Sequence, residues 1–413
     1  MRFPGAVALF LAVVSSCSAR AADVLLTHAT IYAAPDQPAI HDGALVIHEG
    51  RIVAVGSSAL IARMLGKIPV VTHDCAGLTI TAGFWNSHVH MLPPPLLHAE
   101  KQPAAVLDAQ MQTMFTRWGF TTVFDVASPL SNTNEIRRRV AAGTAIGPRI
   151  LTTGDPFWAE VPVYVQQYVA ENHISMPAVT SPAEARARVD SEVREGADGI
   201  KIFAGSIEPN GIVFLPADIA RAVVEQAHHD HRLVFSHPSS IKGVELSLDS
   251  GADILAHVTS FEGPWPSELV QRMLAAHMSV IPTLTLFDTE AQKGHATPEE
   301  TRQLLDLACS QLRKFSAAGG LVLFGTDIGY MEHYDTAEEF DLMTQAGMSF
   351  PQILASLTTN PAQRFGYAAH SGRIAVGMDA DLVVLKGDPA ANIDALSQVK
   401  VTVRGGQVIF GSY

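Results

Sequence analysis

Between residues 81 and 327 the chain alternates, eight times over, between a short apolar run and a stretch long enough for a helix. Few folds accept that order. The runs that predict strands are 81–91, 121–126, 149–153, 199–204, 233–237, 254–258, 279–284 and 321–327, with helical stretches such as 104–118, 182–195, 216–231 and 299–318 between them. A strand followed by a helix returns to the same edge and continues in parallel, so the expected class is α/β, a (β/α)8 TIM barrel spanning 81–370. In such a barrel the loops after the strands build the site. The longest strand-free connection, 155–181, follows the third strand and is a candidate lid or pocket wall.

The flanks have a different rhythm. Residues 24–31, 43–48, 51–55 and 70–74 are short β segments with turn signals such as His48-Glu49-Gly50 between them. Matching segments return at 380–385, 399–404 and 407–410, after Gly372-Arg373-Ile374. The expectation is one small β-sandwich built from both ends of the chain, 23–80 and 371–413.

At 413 residues and 47% hydrophobic, the chain has ample material for such a core. Its net charge of −13 disfavours nucleic acid and anionic membrane surfaces as partners. Residues 1–21 predict a secretory signal: Arg2 precedes an apolar run over 6–14, too short to span a bilayer. Ala19-Arg20-Ala21 fits cleavage after Ala21, giving a periplasmic or secreted product. The alternative is a lipoprotein box, Val14-Ser15-Ser16-Cys17, with a lipid anchor on Cys17. Cys75 and Cys309 are too few and too far apart to form a disulfide framework and are expected as buried thiols.

The polar residues at the predicted strand ends carry the chemistry. His88 and His90 share one strand face and can grip one ion side by side. Lys201 lies in Gly199-Ile200-Lys201-Ile202-Phe203, where an unpaired ammonium is costly to bury. His237, His257 and Asp327 end the fifth, sixth and eighth runs. Outside this set, Tyr330 and His333 follow Asp327 on a site-facing loop, and Trp158, with Phe157, Tyr164 and Tyr168, occupies the long connection. Together Tyr330, His333 and Trp158 are the candidate substrate-binding residues. Asp125 is expected behind the site or capping a helix. His228, His229 and His231, at a helix C-terminus, are expected to be capping or solvated.

This constellation resembles the amidohydrolase superfamily, in particular its imidazolonepropionase-like and prolidase-like members, over essentially the whole chain beyond the signal. Gly377-Met378-Asp379-Ala380-Asp381-Leu382-Val383-Val384 is a further mark of the resemblance. What it implies is a metal-dependent hydrolase of C–N bonds in amides, cyclic amides or dipeptides. Two divalent ions, of which Zn2+ is the first expectation, would be held by His88, His90 and Asp327 on one side and His237 and His257 on the other. Lys201, carboxylated by CO2, would bridge them. Asp327 would act as proton shuttle for an activated water. The partner is then a small-molecule substrate, and a homo-oligomer is compatible with the resemblance.

Two departures stand out. Ala82 and Asn86 replace a proline and an aspartate usual before the histidines, and Thr152-Thr153-Gly154-Asp155-Pro156 replaces a Gly-Gly-His run frequent in prolidase-like members. Other readings use the same barrel: a phosphotriesterase or lactonase, a mononuclear deaminase, and a binding protein that has lost catalysis. The deaminase usually carries a glutamate soon after the strand-five histidine, whereas here His237 precedes Pro238-Ser239-Ser240. No confident arginine for a substrate carboxylate is present on the site-facing loops; Lys293 and His295 are the alternatives.

Overall fold

The computed structural model describes residues 23–413, so the expected signal and Cys17 lie outside the described residues. Five strands open the chain: β1 (Val24–Tyr32), β2 (Ile40–His48), β3 (Arg51–Ser57), β4 (Val71–Asp74) and β5 (Leu78–Ala82). The middle contributes β6 (Phe84–Val89), β7 (Phe120–Asp125), β8 (Arg149–Thr152), β9 (Gly199–Phe203), β10 (Gly205–Glu208) and β11 (Gly211–Phe214). It continues with β12 (Leu233–His237), β13 (Ile254–Ala256) and β14 (Ser279–Ile281), and the chain closes with β15 (Leu382–Lys386), β16 (Val399–Arg404) and β17 (Gln407–Gly411).

Both ends of the chain do meet, but in one hydrogen-bonded sheet. Its order is β17-β16-β15-β5-β1-β2-β3, with β4 beside β1. The seam is β15 against β5, antiparallel from Leu382↔Ala82 to Lys386↔Leu78. Alternation along each strand sends Leu26, Ile31, Leu45, Ile80, Val384 and Val401 into a single core. The sheet therefore folds around that core where two separate layers had been expected.

The predicted run 81–91 is split between two sheets. β5 ends at Ala82, β6 starts at Phe84, and the intervening Gly83 donates its N–H to the Asp381 carbonyl at 2.8 Å. A Cβ on Gly83 would lie 2.2 Å from Thr121 Oγ1, so only glycine passes here. Beyond it, β6-β7-β8 form one parallel sheet and β14-β13-β12-β9 another.

Residues 321–327, predicted as the eighth strand, are not a regular strand. They bond to β14 on one side, where Leu323 N–H donates to the Val280 carbonyl at 2.9 Å. On the other side Ser87 N–H donates to the Phe324 carbonyl at 2.7 Å and Asp327 N–H to the His88 carbonyl at 2.9 Å. At Gly325 the segment presses so close that a Cβ would lie 2.3 Å from Ile281 and 2.9 Å from His88, which bends it off regular pairing. Across the opposite gap, Asp198 N–H donates to the Thr152 carbonyl at 2.7 Å, and Phe157 exchanges bonds with the backbone of β9. The result is a TIM-barrel-like α/β body that gathers the C-terminal ends of its strands.

Candidate metal centre

The six residues singled out at the strand ends converge. His90 Nε2 is 2.7 Å from Asp327 Oδ1, and His88 Nε2 is 3.2 Å from the same oxygen. The His88 ring centroid is 5.2 Å from that of His90 and 4.6 Å from that of His257, which in turn is 4.7 Å from that of His237. His237 stacks on Phe203 at 4.7 Å, and Lys201 Nζ sits 5.2 Å from the same Phe203 ring. Ligand atoms of His88, His257 and Asp327 all lie within 4.8 Å of one another. This compact set draws members from both expected ion sites, because Asp327 reaches across towards His257.

Local backbone geometry aims these groups. His257, just after β13, and Asp327, in the irregular segment, have φ of 84° and 66°, a left-handed bend uncommon outside glycine, and both side chains line the cavity. Neighbours then fix the rings. Thr283 Oγ1 donates to the Pro282 carbonyl at 2.8 Å, so it accepts from His257 Nδ1 at 2.6 Å and leaves Nε2 with a free lone pair facing the cluster. Asn86 accepts from the His88 N–H at 3.2 Å and donates to Thr326 Oγ1 at 2.7 Å, tying β6 to the residue before Asp327. Behind His90, Asp125 accepts from the Met91 N–H, Ser128, Thr133 and Thr152. It is a fully satisfied buried carboxylate that positions the strand end, as expected of it.

The electrostatics suit a cation. Burial lowers His88 to about 4 and holds His237 and His257 well below the ordinary imidazole value, so all three are neutral bases at neutral pH. Burial pushes the Asp327 carboxyl upward, but His88, His90 and His257 outweigh that and hold it well below the usual range. Burial brings Lys201 down to about 7, against a smaller opposing pull from Asp327. Nδ1 of His88 and Nδ1 of His90 are buried without a hydrogen bond, and Nε2 of His88 has only its 3.2 Å approach to Asp327 Oδ1. Unpaired buried nitrogens are costly, and a divalent ion satisfies them; the residues present fit such an ion.

A cavity of about 540 Å³ opens over the cluster. Trp158 and Tyr330 line it, together with Tyr164 and Tyr168 from the long connection. His333 does not join them. Met331 is buried and held by its N–H to the Asp327 carbonyl, so the chain turns outward and leaves His333 exposed. Lys293 lines the cavity. His228 pairs with Asp253 and His229 with Asp230, away from the site. Cys75 and Cys309 are buried free thiols. Sequence reasoning missed Thr283, for which no sequence signal exists. It also missed Glu290, which the three-residue helical spacing to Lys293 could have found.

Comparison with known proteins adds the following. A model of the amidohydrolase family matches residues 79–409. No curated protein sequence matches the chain significantly. A candidate prolidase from Bifidobacterium longum is similar in structure, with a TM-score of 0.77, 25% identity and coverage of 94% of each chain. A Xaa-Pro dipeptidase with bound methionine in its active site superposes with a TM-score of 0.78 at 22% identity, covering 94% of this chain and 99% of that one. The ochratoxinase of A. niger gives a TM-score of 0.79 at 19% identity, covering 95% of this chain and 96% of that one.

Proposed function

Since this chain belongs to the amidohydrolase family of metal-dependent hydrolases, we propose that it hydrolyses the C–N bond of small amides at a dinuclear metal centre. The observation that carries the reading is the convergence of His88, His90, Lys201, His237, His257 and Asp327 on one cavity floor. His88, His90 and Asp327 would hold one ion, and His237 and His257 the other. Lys201 is fully buried and sits against the Phe203 ring without a carboxylate at ion-pairing distance among the described residues. Addition of its amine to CO2, with loss of a proton, would give a carbamate with two oxygens for the two ions.

Bound divalent ions supply Lewis acidity towards a carbonyl oxygen and bring the pKa of water down towards about 7. The protein does the rest. Asp327, ionised and aimed over the cavity, accepts the proton of the attacking water and passes it to the departing amine. The C–N bond breaks as a C–O bond forms, and acid and amine leave through the cavity mouth. Similarity to a candidate prolidase, a dipeptidase and an ochratoxinase supports C–N cleavage. The mature enzyme is proposed to act after export, its barrel spanning 81–370 and flanked by the sheet of 23–80 and 371–413.

One observation favours a second reading: only His88, His257 and Asp327 among the described residues form a compact three-ligand set, as a mononuclear site would. Metal analysis of the purified protein separates the two. About two equivalents per chain, falling in Lys201→Ala and restored by short carboxylic acids, supports the dinuclear reading. One equivalent, indifferent to Lys201→Ala, overturns it.

A further inference from the structure

The walls above the cluster narrow the substrate class, an inference that rests on the hydrolase reading above. They are apolar: Trp158, Phe203, Leu286 and Phe287 enclose the cavity, and Ile207 and Phe261 continue its surface outward, 50% and 53% exposed. Exposed aliphatic and aromatic side chains at a cavity mouth mark a surface that wants an apolar occupant. The volume of about 540 Å³ accommodates a two-ring molecule.

Charge recognition is cancelled from within. Among the described residues lining the cavity there is no arginine, and the cations are Lys201 on the floor and Lys293 on the wall. Lys293 Nζ lies 3.0 Å from Glu290 Oε1 and 3.9 Å from the centre of the Tyr330 ring. Tyr330 donates its hydroxyl to the same Glu290 oxygen at 3.0 Å. The ammonium is therefore neutralised by a carboxylate that itself lines the cavity, and a substrate carboxylate would meet Glu290 as a like charge. What the wall does offer is a neutral phenol. Tyr164 lines the cavity half-exposed, its ring 6.2 Å from that of Tyr330, and its phenol stays neutral. Such a hydroxyl suits a carbonyl or ether oxygen.

We propose that the site takes uncharged amides carrying aromatic rings, of the arylamide class, and disfavours substrates with a free carboxylate, with the Glu290–Lys293–Tyr330 cluster setting that preference. Hydrolysis of such a substrate breaks the amide C–N bond, joins water oxygen to the acyl carbon and moves one proton to the arylamine, leaving an acid and an aniline.

The test compares benzanilide with its two para-carboxylated forms, one on each ring, on metal-loaded protein. In parallel, calorimetry measures binding of N-benzylaniline and its carboxylated analogues, which have no amide to cleave. The neutral compound is expected to win by at least about tenfold in kcat/KM and in Kd. In Glu290→Gln, which releases the Lys293 charge, that margin should shrink or reverse. A carboxylated substrate cleaved faster by the wild type, with its advantage lost in Lys293→Met, overturns the proposal while leaving the hydrolase reading intact. Preferential binding of N-benzylaniline without cleavage of any benzanilide supports the pocket assignment and counts against the hydrolase reading. Equal or weaker binding of the neutral compound overturns the assignment whatever the turnover.

Discussion

At Asp327 three demands meet in one residue: a left-handed backbone at φ 66°, a carboxylate oxygen shared by His88 and His90, and a place on the cavity floor. Asn tolerates the left-handed region better than most residues and keeps the side chain's shape, but it cannot accept a proton. Asp327→Asn is therefore expected to lower kcat by at least about 100-fold while leaving the circular dichroism spectrum unchanged. Turnover within a few-fold of wild type would remove Asp327 from proton transfer. Thr283 is one layer further out. Without its hydroxyl, His257 Nδ1 loses its acceptor and the ring is free to rotate or change tautomer. Thr283→Val, nearly isosteric, should weaken metal affinity by about 10- to 100-fold in a competition titration against a chromogenic chelator. An affinity matching wild type would mean that packing alone orients the ring.

Among the elements, the passage at Gly83 joins the terminal sheet to the barrel, and the Thr121 side chain occupies the space a Cβ would need. Gly83→Ala must push Thr121 or β6 aside, so a loss of roughly 1–3 kcal/mol is expected, read as a shifted urea midpoint with unchanged slope. Retention of the wild-type midpoint would show that Thr121 can rotate away. The strand-to-helix rhythm was legible because apolar runs and helical periodicity are local properties; β7, β8, β9 and β12 fall within a residue or two of their predicted limits. The strand-end ligands were legible for the same reason. Elsewhere the decisive partner is remote. The run 279–284 reads as strand to its end, yet Leu284–Lys293 is a helix whose first N–H groups, at Leu284 and Thr285, are capped by Glu339 at 2.9 and 2.8 Å. No local signal announces a cap from more than fifty positions away. The hairpin of β10 and β11 is a different case, since Asn210-Gly211 is a turn signal that the residues did carry.

For the whole molecule, buried carboxyls set how stability follows pH. Glu192 is raised to about 8, chiefly by burial, even though Arg188 Nε donates to it at 2.9 Å; its second oxygen has no hydrogen-bond partner. Glu339 is raised to about 7 by burial, and Asp155, Asp198 and Asp381 are raised in the same way. Each such group binds its proton more tightly when folded than when unfolded. The stability it contributes is present below the ordinary carboxylate pKa and is lost as pH rises through the folded value. Asp327, His88, His237 and His257 have the opposite sign, contributing stability at neutral pH that is lost on acidification, and Lys201, neutral when folded above about 7, adds stability as pH rises beyond that value. Deprotonation on the alkaline side also adds to a net charge already at −13, so self-repulsion works in the same direction as the raised carboxyls. Glu192 and Glu339 therefore make the metal-free protein lose stability as pH rises from the ordinary glutamate value of 4.5 towards about 8, most steeply below about 7, where both still hold protons that the unfolded chain has released. Glu192 sits under the turn that leads to Trp158, where a Cβ on Gly154 would lie 3.1 Å from its unpaired oxygen. Glu192→Gln keeps the volume and a neutral side chain at every pH, so its melting temperature relative to wild type should rise from about pH 5 to about 8, level off above that, and converge with wild type towards about pH 4.5. A decline as steep in Glu192→Gln as in wild type would assign the pH dependence to the other buried carboxyls.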